Sequence, residues 1–164
     1  MTKAEWQSCG DPEPMVRLLA ADRFQRELRL FSVACVRRVW SLLPKACQAA
    51  VELSEQFANG KASESKLSRA VDAAALITQE IWPGPRSPGA RAYAASAAVD
   101  ASSVWPRTTA NVLAATSCAA SAFACARAES ATDCDYDAVF DASRRAELAS
   151  QAVLLRGVVD YPSV

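Results

Sequence analysis

The stretch LFSVACVRRVW, Leu30 to Trp40, decides the fold. It sets a cysteine and a pair of arginines inside a run of large apolar side chains, so it is either a reactive site or a length of core. Spaced at 100° per residue, Phe24, Leu28, Phe31, Cys35, Val39 and Leu42 fall on one face, with Val33, Val36, Trp40 and Leu43 widening it. Arg37 and Arg38 fall opposite, beside Arg26, Glu27 and Ser41. The stretch therefore belongs to a main core helix from Arg23 to Leu43, ended by Pro44, with Cys35 inward and the arginine pair outward. As outward residues, Arg37 and Arg38 are each expected to tolerate alanine within about 0.5 kcal/mol.

Helical patterns extend in both directions. Upstream, Thr2 followed three residues later by Glu5 makes a capping box for a first short helix, which Cys9, Gly10 and Asp11 end. Asp11 and Pro12 start a second, through Met15, Val16, Leu18 and Leu19. Downstream, Lys45 to Ala58 places Ala46, Ala50, Leu53 and Phe57 on one face and stops at Asn59-Gly60. Ser63 caps the next helix, which runs to Trp82 with Leu67, Ala70, Val71, Ala74 and Ile81 inward. The segment WPGPRSPG then breaks the chain, and 83–89 is where a hinge would fall. Beyond it lie alanine-rich helices over 90–104, 106–128 and 135–158.

Composition agrees. With 35 alanines against five glycines among 164 residues, the chain is rich in the best helix former and poor in the residue that weakens helices. Its length and 51% hydrophobic content suit one core. Alanine faces bury little area each, so the second half is expected to need the bulkier first half. The expected fold is all-α, a single compact bundle of six to eight helices over residues 1–164.

The chain has no histidine, which excludes Ser/His/Asp and Cys/His catalysis and zinc motifs that use histidine. Basic and acidic residues balance at 18 each, so no global field favours nucleic acid or an anionic membrane. Residues 17–45 hold seven basic side chains against Asp22 and Glu27, but their aromatics lie on buried arcs, and a solvated face is expected. The uncharged span Thr108 to Ala126 is 19 residues long, yet its alanines, serines and threonines suit a buried helix better than a bilayer. Its Cys118 and Cys125 sit ~10 Å apart along one helix, too far for a disulfide. The six cysteines include no C-x-x-C, and no apolar leader precedes them; free thiols, mostly buried, in a cytoplasmic protein are expected. The cluster DCDYDAVFD, Asp133 to Asp141, starts like a calcium loop but has Ala138 where glycine belongs and Arg144 where the bidentate glutamate belongs. Acids there suit a helix start. Glu52 and Glu55 read as a wet helix face.

MTKAEWQSCGDPEPMVRLL, RELRLFSVACVRRVW, SLLP, AVELSEQFANGKAS and QAVLLRG together resemble a group of uncharacterised bacterial helical proteins abundant in planctomycetes. The likeness covers the first 63 residues best. Members often carry two adjacent cysteines before the arginine pair and a histidine after the tryptophan, where this chain has Val36 and Ser41. It also ends GVVDYPSV in place of their glycine-asparagine-proline-phenylalanine segment. The resemblance implies a bacterial, soluble, helical protein and nothing about a reaction.

No catalytic, metal or cofactor site is expected. What remains is a non-catalytic module that recognises another protein or a second copy of itself, with Arg26, Arg37 and Arg38 as the candidate interaction surface. The alternative is a bundle that holds a small apolar ligand between its helices.

Overall fold

The computed structural model describes residues 1–19, 22–82, 89–103, 109–132 and 135–162. These form eight α-helices: α1 (Lys3–Ser8), α2 (Pro12–Leu18), α3 (Gln25–Arg37), α4 (Lys45–Ala58), α5 (Glu64–Ile81), α6 (Ala90–Ser102), α7 (Thr109–Glu129) and α8 (Tyr136–Val158). The all-α bundle expected from the sequence is what the chain forms. Of the expected hinge, 83–88 lie outside the described residues, as do Asp133 and Cys134 of the acidic cluster.

Local signals set several helix ends, although Ser63 precedes α5 without the side-chain cap bond expected of it. The Thr2 hydroxyl accepts from Glu5 N–H at 3.2 Å, and the Glu5 carboxylate accepts from Thr2 N–H at 2.6 Å, a complete capping box. Asp11 caps α2 with Pro12 in its first turn. Gly60, with φ of 69°, ends α4 in the left-handed region that glycine occupies without strain.

The main core helix is shorter than its pattern. α3 stops at Arg37, and the chain tightens into a 3₁₀ turn over Trp40–Leu42, with Leu42 N–H bonded to Val39 O and Leu43 N–H to Trp40 O. Pro44 ends this turn, because it holds Leu43 extended at ψ 133°. A second 3₁₀ turn, Asp22–Phe24, precedes α3. The buried face of α4 is also turned one residue from the expected one: Cys47, Ala50, Val51 and Ser54 are buried, while Ala46, Leu53 and Phe57 form its half-buried shoulders.

α3 is wrapped by α4, α6, α7 and α8, and Phe31 at its centre is fully buried. α6 and α7 pack on each other through alanine. Ala94, Ala95, Ala97, Ala98 and Ala101 of α6 have no exposed surface, so this helix is buried on nearly every side. α7 is long and apolar enough to cross a membrane, and half of its most apolar window is buried against its neighbours. α5 forms one edge, chiefly on α4 and α6, and α8 with α2 forms the other. One connected set of buried side chains reaches from Trp6 in α1 to Val159 beyond α8.

Candidate functional site

The three arginines expected to form one outward patch part company. Arg26 and Arg37, eleven residues or about 16 Å apart along α3, share its exposed edge beside α4. Arg26 Nη2 donates to Asn59 Oδ1 at 2.9 Å. Arg37 pairs with Glu55, and its guanidinium lies 5.1 Å over the Trp40 ring. Glu55 is thus half-buried and engaged, whereas Glu52 is exposed.

Arg38 turns the other way. Its Nε and Nη2 donate to Glu147 Oε1 and Oε2 at 2.5 and 2.8 Å, a two-pronged pair with a carboxylate that is only 1% exposed. That carboxylate holds the Arg38 guanidinium above its usual pKa. Arg38 is exposed, as its phase on the helix predicts, and what the sequence did not predict is its partner: its head also fixes α8 to α3. The reason lies outside the local pattern, since Glu147 is 109 residues away.

Arg29 was not singled out by the sequence, yet it is buried. Its Nη1 donates to Ser54 Oγ at 3.2 Å and Ser103 O at 3.1 Å, and the guanidinium lies 5.1 Å over Phe57. Ser54 in turn donates to Ala101 O at 3.0 Å, so one arginine and one serine tie α3, α4 and the end of α6 together. Burial lowers the Arg29 pKa. A signal existed: Arg29 precedes Val33 and Val36 by four and seven residues, the spacing of one helix face.

Three further long polar side chains also join helices. Arg156 Nη1 donates to Trp6 O at 3.2 Å and Cys9 O at 2.8 Å, sealing α1 against the end of α8, where Tyr161 stacks edge-on to Trp6. Gln151 Nε2 donates to Thr116 O at 3.2 Å, and Arg144 Nη2 to Ser117 Oγ at 3.1 Å, both across α7 and α8. Asp135 accepts from the amides of Asp137 and Ala138 and so caps α8.

Cys9, Cys35, Cys47, Cys118 and Cys125 are free thiols. Cys35, Cys47 and Cys125 are buried; Cys118, expected inward, is half-buried. Burial pushes the Cys35 thiol well up, helped by Glu147, and raises Cys118 to about 11. Neutral thiols of this kind are poor nucleophiles. They also make the fold sensitive to alkali. Below a pH near 9, thiols are protonated in both folded and unfolded chains and the folded state keeps its full stability. Above it the unfolded chain ionises first, and stability falls as pH rises toward 11. A thermal melt followed by circular dichroism should show Tm dropping over that interval, less steeply in Cys118→Ala; a Tm that stays level would contradict these environments.

At the surface, an open groove of about 430 Å³ lies between the start of α3 and the C-terminal segment, edged by Arg23, Phe24, Glu27, Val159, Asp160 and Tyr161. No family model matches the chain, no curated protein matches it, and no solved structure matches it.

Proposed function

We propose that the chain is a non-catalytic helical module of a bacterial cytoplasm that binds another protein, or a second copy of itself, through its outer faces. The observation that carries this is the Arg37 guanidinium held over Trp40 by Glu55 at the exposed edge of α3, in line with Arg26. Arginine and tryptophan are the side chains most enriched where partners bind tightly, and a stacked, ion-paired arginine is already ordered before a partner arrives. Buried Arg29, Glu147 and Gln151, by contrast, are engaged in joining helices.

The test is affinity capture from the native cell with a tagged chain, beside the Arg26→Ala/Arg37→Ala variant. A protein recovered reproducibly with the native chain and lost with the variant is the expected result. Equal recovery with both, or an apolar small molecule extracted in place of a protein, would overturn it, the latter in favour of a ligand carrier.

A further inference from the structure

α5 is the least enclosed of the long helices. Of its 18 residues, Leu67 and Ala74 alone are buried. Its outer side carries an ordered row: Lys66, Ala73 and Glu80 recur every seven residues with Arg69 and Leu76 between them, a spacing that keeps all five on one stripe. All five are exposed, and Leu76, at 62%, is the most exposed large apolar side chain among the described residues.

The charges on this row are unpaired and oddly ordered. Among the described residues, Lys66 and Glu80 form no ion pair, and Arg69 bonds only the carbonyl of Ser65 in its own helix. Glu80 lies in the last turn, beside the negative end of the helix dipole, where a carboxylate is unfavourable without a cation. A surface with cations at one end, an anion at the other and leucine between them suits neither a phosphate backbone nor an anionic bilayer, both of which call for one sign. It suits its own reverse.

We propose that α5 binds a second copy of the chain, the two helices lying antiparallel about a two-fold axis at Ala73. The inference rests on the interaction-module reading and names one of its partners. Lys66 and Glu80 are each seven residues from Ala73, so the antiparallel pair sets every Lys66 opposite the partner's Glu80, at two places about 21 Å apart. Leu76, three residues beyond Ala73 on the same stripe, lies beside the axis against the partner's Ala73 and the apolar stem of its Arg69, all exposed in the single chain. A parallel pair would instead oppose lysine to lysine and glutamate to glutamate. One helix pair buries less than the ~1,200 Å² of a strong interface, so the dimer is weak and concentration-dependent.

Sedimentation of the full chain over a range of concentrations at low salt tests this. The native chain should dimerise below about 100 µM. Lys66→Glu and Glu80→Lys should each weaken the dimer about tenfold or more by placing like charges together, without loss of helical circular dichroism. An equimolar mixture of the two variants, or the Lys66→Glu/Glu80→Lys double variant, should restore it, since opposite charges meet again. A native chain that stays monomeric, single variants that dimerise as the native chain does, or losses that neither combination recovers would each overturn the proposal. Arg26 and Arg37 are not on α5, so a monomer that still captures a protein through them removes this inference alone.

Discussion

Phe31→Ala should lower the stability of the chain by about 3 to 5 kcal/mol, the cost of deleting a fully buried phenylalanine. Phe31 has no exposed surface, and its helix is wrapped by α4, α6, α7 and α8. Its neighbours α6 and α7 present mostly alanine, whose methyl groups cannot reach across the space a missing ring would leave, so the cavity should collapse little. Against the ~5 to 15 kcal/mol that holds a domain together, this is a large fraction. Equilibrium urea unfolding measures it directly. A loss below about 1 kcal/mol would mean that Phe31 is not the keystone of the junction.

Arg38→Ala should be the next most damaging single change, at about 3 kcal/mol, because it strands the buried Glu147 carboxylate without its cation. Arg37→Ala, one residue away, should stay within about 0.5 kcal/mol, since Arg37 and Glu55 are both partly in water. The contrast between adjacent arginines is the diagnostic result. Replacing the whole pair, as in Arg38→Met/Glu147→Met, should recover most of the loss, because an apolar pair of similar volume leaves no charge unpaired. Equal and small losses at Arg37 and Arg38 would show that the Glu147 contact contributes nothing.

The helices were legible because their signals are local. Thr2 with Glu5, Asp11 with Pro12, and Asn59 with Gly60 act over a few residues and fix ends wherever the rest of the chain goes. The burial of Phe31 and Cys35 was legible from the 3.6-residue period alone. What escaped was set by contacts distant in sequence. Nothing near Arg38 announces Glu147, and nothing near Arg29 announces Ser54 and the carbonyl of Ser103. A period marks a side chain as inward only if it is apolar, so a long polar residue that bends inward to close a gap between helices reads as surface. Arg26, Arg37 and Arg38 all kept the exposure their phase gave them. The early end of α3 had no such local signal, since Pro44 restricts Leu43, six residues beyond Arg37.

The most direct measurement is urea unfolding of the intact chain followed at once by tryptophan fluorescence and far-ultraviolet circular dichroism. If α3 and the alanine-rich helices share one core, the two signals should trace a single coincident transition, and a fragment from Gly89 onward should remain unfolded by itself. Two separated transitions, or a fragment that folds alone, would contradict it and make the proline-rich segment before Gly89 a linker between two independent units.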